Sequence, residues 1–187
     1  MFFLSLGSNL GNRAQYLQHA LFLLHREVGK VVKVSPLYES PAWGFSSEPF
    51  YNICAELHTD LPLEALLPRL HAIEACLGRV RTSQPSEGYK ARTLDIDILY
   101  YDDKVVQTDT LCIPHPQLAL RRFVLQPLVD IAPDFVDPIK GQTIGQLLET
   151  CPDTAALTLV KQDFALPVNR GTIPYRYITI EGNIGAG

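Results

Sequence analysis

Apolar and polar positions along this chain switch between two periods. Residues 2–6 form an apolar run that ends in Gly7-Ser8-Asn9, the pattern of a buried strand entering a turn. From residue 13 the spacing changes. Leu17, Leu21, Leu24 and Val28 recur with the period of an amphipathic helix over 13–27, and Gly29 supplies a stop. Residues 31–38 and 51–58 are rich in β-branched and aromatic side chains and read as strands. Between them lies Ser40-Pro41-Ala42-Trp43-Gly44, a loop with a large aromatic in it. Over 63–77, Leu63, Leu66, Leu67, Leu70, Ile73 and Leu77 share one helical face. Residues 82–91 mix Ser, Pro, Gly and charges and read as a loop, and 94–101 as a fourth strand.

The order β-α-β-β-α-β predicts an α+β fold, the ferredoxin-like βαββαβ sandwich. Two helices would cover one face of a four-stranded antiparallel sheet. After Pro114, helical pieces at 122–129 and 143–150 read as short C-terminal additions. No internal repeat or low-complexity stretch interrupts this order. One domain is expected over 1–160, with a linker at 161–174.

Composition narrows the function classes. With 47% hydrophobic and 19% charged residues the chain is globular rather than disordered. A net charge of -4 argues against a general nucleic-acid binder. Cys54, Cys76, Cys112 and Cys151 form no C-x-x-C pair, so they read as free thiols of a reducing compartment. The apolar start has no basic leader, and no apolar run reaches the ~20 residues of a membrane span. The expected location is cytoplasmic, with no membrane partner.

The strongest chemical signal is Arg92-Thr93-Leu94-Asp95-Ile96-Asp97-Ile98-Leu99. Side chains alternate along a strand, so Asp95 and Asp97 share a face about 6–7 Å apart along it, while Leu94, Ile96 and Ile98 face the core. Such a pair can grip two metal ions that also bind phosphate oxygens, and Mg²⁺ favours one or two carboxylates completed by waters and phosphates. An isolated D-x-D is more often the solvated face of a half-buried strand. Here Arg79, Arg81, Lys90 and Arg92 stand close by, on or beside the 82–91 loop, and guanidinium forks suit phosphate oxygens. Alone these cations would read as an ordinary solvated surface.

Two further groups follow. In Ile113-Pro114-His115-Pro116 two prolines hold a histidine rigidly, where it could bond a phosphate oxygen and neutralise charge; Arg121-Arg122-Phe123 comes just after. Phe123 is core by default, with stacking on a flat ring as the sharper option. Phe50 and Asn52 share a strand face, so a ring could stack on Phe50 while the Asn52 amide reads its edge. A core aromatic beside a turn-capping Asn explains those two residues equally well.

Taken together, Leu6-Gly7-Ser8-Asn9-Leu10-Gly11, Ser40-Pro41 through Gly44, Phe50-Tyr51-Asn52, Gly78-Arg79-Val80-Arg81, Arg92-Thr93-Leu94-Asp95-Ile96-Asp97 and Pro114-His115-Pro116 with Arg121 and Phe123 occur in one order. In these segments the chain resembles the 6-hydroxymethyl-7,8-dihydropterin pyrophosphokinases of folate biosynthesis, over about residues 1–160. The resemblance implies attack of the pterin hydroxymethyl oxygen on the β-phosphorus of ATP, with release of AMP. It implies two Mg²⁺ ions on Asp95 and Asp97, and catalytic roles for those aspartates with Arg81 and Arg92. Arg79, Arg81, Arg92, His115 and Arg121 would contact the ATP phosphates or the nucleotide, with His71 and Glu74 near it. Asn52 would read the pterin edge between Phe50 and Phe123. Ser40, Pro41 and Trp43 would line the pterin pocket.

The chain also departs from the family. Members often carry a basic residue, an aromatic, Gly and Pro before the arginine matching Arg92. Here the run is Gly88-Tyr89-Lys90-Ala91, with Lys90 as a shifted cation. The stretch from Thr82 to Ala91 is longer than in compact members, and Thr110 stands where some carry arginine.

Residues 175–187 fit no part of that family. Tyr175 to Ile180 reads as a strand, and Gly182 and Gly187 match the glycines of G-x-x-x-x-G-K-[ST] up to the lysine. This tail resembles the first strand and partial phosphate loop of a deoxynucleoside kinase, so a fused kinase domain is expected as a covalent partner. The remaining expected partners are small molecules. Two other classes stay in view: an inactive pterin- or nucleotide-binding module that regulates the attached kinase, and an RNA-binding sandwich. The retained aspartates argue against the first, the acidic charge against the second.

Overall fold

The computed structural model describes residues 1–44, 46–79 and 91–166. Strand β1 (Phe2–Ser8) leads into helix α1 (Arg13–Glu27), then β2 (Lys30–Val34), β3 (Leu37–Ser40), β4 (Phe50–His58) and helix α2 (Leu63–Cys76). Next come β5 (Asp95–Tyr101), β6 (Val106–Gln107) and β7 (Cys112–Ile113). Helices α3 (Arg122–Ile131) and α4 (Ile144–Glu149) and strand β8 (Thr158–Val160) complete the chain order.

Local chemistry explains the helix ends. The Asn12 side chain accepts from the Gln15 N–H at 3.2 Å and caps α1. Gly29 follows α1 where the chain crosses the end of β4. A Cβ there would lie 2.3 Å from the His58 carbonyl oxygen, so only glycine fits. Helix α4 begins at a capping box in which Thr143 and Gln146 satisfy each other's backbone N–H groups.

The main sheet has six strands in the order β5-β1-β4-β3-β8, with β2 also paired to β4. Its pairings are antiparallel. Four strands were expected, and the difference has two sources. The run 31–38 divides at Ser35-Pro36: Pro36 has no N–H for a ladder. Ser35 takes over, donating its N–H to the Cys54 carbonyl at 2.9 Å and accepting the Cys54 N–H on its hydroxyl at 2.9 Å. So β2 pairs with the Ala55–His58 end of β4 and β3 with the Phe50–Asn52 end. The other source is β8, three residues with no periodic signal, which pairs with β3.

Helices cover both faces of the sheet, not one. Phe2, Leu4, Leu6, Ile53, Ala55, Leu57, Ile96 and Ile98 form one core with α1 and α2. Phe3, Cys54, Leu99 and Tyr100 form a second with α3 and α4. Strand alternation therefore sends Ser5, Gly7, Asn52, Asp95 and Asp97 towards the second face, beyond the apolar cover. No helix among the described residues is long and apolar enough to cross a membrane.

Candidate active site

Two adjoining clefts open at that end of the sheet. The narrower has a cavity volume of about 60 Å³ and is walled by Ser5, Gly7, Ser40, Pro41, Trp43, Phe50, Asn52 and Phe123. The wider has a cavity volume of about 430 Å³ and includes Leu67, His71, Arg79, Thr110 and His115 in its lining. Arg92, Asp95, Asp97 and Arg121 line both. Any molecule seated in one cleft thus faces the other across two carboxylates and two guanidinium groups.

Asp95 is held on both oxygens. Arg92 Nη1 donates to Oδ2 at 2.7 Å, and Arg79 Nη1 donates to Oδ1. Arg79 also pairs with Glu74, whose side chain is fully buried. Glu74 Oε1 accepts the backbone N–H of Ile96, the residue between the two aspartates, at 2.8 Å. Glu74 therefore lies behind the wider cleft rather than in it. It braces Arg79 and β5, which refines the nucleotide-side role implied by sequence.

Burial raises the Asp97 carboxyl to about 6, and the Asp95 and Glu74 charges push the same way against Arg121 and Arg79. A cation between the aspartates would offset both the burial and the Asp95 repulsion that raise it. Among the described residues no cluster of three or more His, Cys, Asp and Glu forms a metal cage. Two carboxylates alone fit Mg²⁺, which completes its shell with water and substrate phosphates.

His115 is fixed by its own backbone. Its N–H donates to the Leu99 carbonyl at 3.0 Å, and its Nδ1 accepts the Gln117 N–H at 3.2 Å, which leaves the ring proton on Nε2. Burial, then the Arg121 charge, lowers the ring to about 4. It is neutral at pH 7 in the free protein: a hydrogen-bond donor but not the charge neutraliser suggested by sequence. That work falls to the arginines. The Arg121 guanidinium bonds Gln117 and lies 4.8 Å from the Trp43 ring centre and 5.8 Å from that of Phe123.

These two shifts predict opposing pH effects. His115 binds its proton more weakly folded than unfolded, so between about 6.5 and 4 it lowers stability as pH falls. Asp97 binds its proton more tightly folded, so between about 6 and 3.9 it raises stability as pH falls. Thermal unfolding across pH 4–7 should therefore fall more gently on acidification in His115→Gln than in the wild type. In Asp97→Asn it should fall more steeply.

In the narrower cleft Asn52 is buried, and its Nδ2 donates to Ser40 Oγ at 2.9 Å. Ser40 Oγ donates in turn to the Pro41 carbonyl at 3.2 Å. Ser40 thereby orients the Asn52 amide. A Cβ on Gly7 would touch Asn52 Oδ1 at 3.5 Å and Phe50 Cδ1 at 3.6 Å, so the glycine keeps this floor low.

Of the residues singled out in the sequence, the structure brings Ser40, Pro41, Trp43, Phe50, Asn52, Phe123, Arg92, Asp95, Asp97 and Arg121 to the narrower cleft. His71, Arg79 and His115 line the wider one. Arg81, Lys90, most of the 82–91 loop and the 175–187 tail lie outside the described residues. Ser5, Gly7, Asn9 and Gln117 were given no role from sequence. Ser5 and Gly7 could have been found from the two-residue period of β1. Asn9 could not, because its side-chain partners lie 38 to 83 positions away.

Comparison with known proteins gives the family and the fold. Residues 3–133 match the family model described as 7,8-dihydro-6-hydroxymethylpterin-pyrophosphokinase. A 2-amino-4-hydroxy-6-hydroxymethyldihydropteridine pyrophosphokinase of Synechocystis is 42% identical over 151 residues, covering 80% of this chain and 75% of that protein. Its counterpart in Porphyromonas gingivalis is 43% identical over 133 residues, covering 70% and 90%. The folic acid synthesis protein fol1 of Pneumocystis carinii is 40% identical over 152 residues; the match covers 81% of this chain but only 20% of that protein. A crystal structure of Plasmodium falciparum HPPK-DHPS shares the fold, with a TM-score of 0.64 at 16% identity over 79% of this chain and 44% of that one. The class so defined is the ATP-dependent diphosphotransferases. The chain belongs to the 7,8-dihydro-6-hydroxymethylpterin-pyrophosphokinase family.

Proposed function

We propose that this chain transfers the pyrophosphoryl group of ATP to 6-hydroxymethyl-7,8-dihydropterin and releases AMP. One observation carries the reading: an aromatic-walled cleft and a cation-rich cleft share Arg92, Asp95, Asp97 and Arg121. The pterin ring lies in the narrower cleft, between Phe50 and Phe123, with its amide edge on Asn52. Trp43, Pro41 and Ser40 close the wall. ATP lies in the wider cleft, its phosphates towards Arg79, Arg92, Arg121 and the Nε2–H of His115, with Arg81 joining them. The hydroxymethyl oxygen then meets the β-phosphorus between the two aspartates. The new O–P bond forms there as the bond to the α-phosphate oxygen breaks, and AMP leaves. Asp95 and Asp97 would hold two Mg²⁺, which would supply screening of the phosphate charge and a lower cost for release of the alcohol proton to solvent. The ferredoxin-like topology is the frame for this layout, with β5, β1 and β4 presenting the aspartates, the floor and Asn52.

Such transfers need positioning and charge neutralisation more than covalent chemistry. Incubation with ATP, Mg²⁺ and 6-hydroxymethyl-7,8-dihydropterin should give AMP only when the pterin is present. Trp43 is the single tryptophan, so its fluorescence should change as the pterin binds. Binding without AMP would favour a regulatory module instead. The absence of both pterin binding and AMP would overturn the reading.

The tail at 175–187 carries a separate proposal from sequence alone: it is the first strand and partial phosphate loop of a following deoxynucleoside kinase domain. A reading frame continuing from Gly187 with Lys-Ser or Lys-Thr would support it, and a stop codon there would overturn it.

A further inference from the structure

Asn9 sits at the end of β1 and is nearly fully buried. Its side chain is a saturated bracket. Oδ1 accepts the Arg92 N–H at 2.8 Å, while Nδ2 donates to Ser47 Oγ at 2.9 Å and to the Glu48 carbonyl at 3.1 Å. An amide has one carbonyl and two N–H groups, so every group has a partner. The Asn9 N–H adds a fourth link, to the Arg92 carbonyl at 3.1 Å.

The two ends of this bracket belong to different halves of the site. Ser47 and Glu48 end the segment that carries Trp43 and leads into Phe50, two walls of the narrower cleft. Arg92 lines both clefts and holds Asp95. Nearby, Arg13 Nη1 donates to the Pro49 carbonyl at 2.7 Å, which fixes that segment to α1. A shift of residues 47–49, which lead into Phe50, therefore pulls on the backbone of Arg92 through Asn9.

We infer that Asn9 is a positioning residue that couples the two substrate clefts. It touches neither substrate, and it rests on the reading that the narrower cleft takes the pterin and the wider one ATP. When nucleotide phosphates order Arg92, the bracket orders residues 47–48 and the aromatic wall, so the pterin meets a cleft already set. The same bracket acts in reverse, and each ligand must tighten the other by one common factor.

That factor is directly measurable. Pterin affinity is read from Trp43 fluorescence with and without a non-hydrolysable ATP analogue and Mg²⁺. The ratio of the two affinities is the coupling. Asn9→Ala should cut the ratio by about ten-fold, in keeping with the loss of three part-buried hydrogen bonds. A purely structural role would weaken both affinities alike and leave the ratio unchanged. Ser47→Ala, at an exposed position, removes one link only and should cut the ratio by about two- to five-fold; it serves if Asn9→Ala does not fold. An unchanged ratio in either folded variant, or a wild-type ratio of one, would overturn the inference. Absence of any pterin binding by the wild type would instead overturn the assignment of the clefts.

Discussion

Asp97→Ala is expected to lower pterin-dependent AMP formation by about 10²- to 10³-fold, the scale seen when a group that stabilises transition-state charge is removed. The residue lies where the two clefts meet, and its carboxyl is raised by burial and by Asp95. An ionised carboxylate in that position costs the free protein stability, so its retention calls for a reason outside folding. Removing it should leave the melting temperature at pH 7 unchanged or higher while turnover disappears. Asp95→Ala should also abolish turnover but should lower stability, because Arg79 and Arg92 lose their shared partner. Steady-state AMP release and thermal unfolding of both variants separate the two aspartates. Turnover by Asp97→Ala within ten-fold of the wild type would refute its assignment as a metal ligand.

Glu74→Ala should have the largest effect on stability, about 3 kcal/mol. The substitution removes a fully buried charge that pairs with Arg79 and accepts the Ile96 N–H. Arg79 would keep only Asp95 of these two partners, and the Ile96 N–H would lose the acceptor between the two aspartates. For a chain of this size about 3 kcal/mol corresponds to a fall of roughly 6–12 °C in melting temperature. Glu74→Gln retains an acceptor for Ile96 and loses only the charge on Arg79, so it should recover part of the loss. Equal melting temperatures for wild type and Glu74→Ala would show that the brace contributes nothing.

Sequence alone took the fold a long way and stopped at identifiable places. The periods over 13–27 and 63–77 led to α1 and α2 because a helix facing a sheet must repeat apolar residues every three to four positions. The break at Ser35-Pro36 was harder to see, since the residues either side of it look equally strand-like. Coverage of both sheet faces was hidden for another reason. Phe3, Cys54, Leu99 and Tyr100 read as ordinary strand residues until α3 and α4 are seen packed on them.

The site divides along the same line. Asp95, Asp97, Phe50 and Asn52 could be paired from sequence because two residues apart on a strand means one face, whatever the rest of the chain does. The segment matches likewise named Arg92, His115, Arg121 and Phe123. Which of these groups are charged, braced or shared was decided only in three dimensions. Glu74 became a support because α2 sets it behind β5, and His115 is neutral because burial and Arg121 act on it together. Asn9 gained its importance from partners brought to it by two separate segments, residues 47–48 and Arg92. Local periodicity reports which way a side chain points. Burial, charge state and hydrogen-bond partners depend on residues far apart in sequence, and only the packed sheet brings those together.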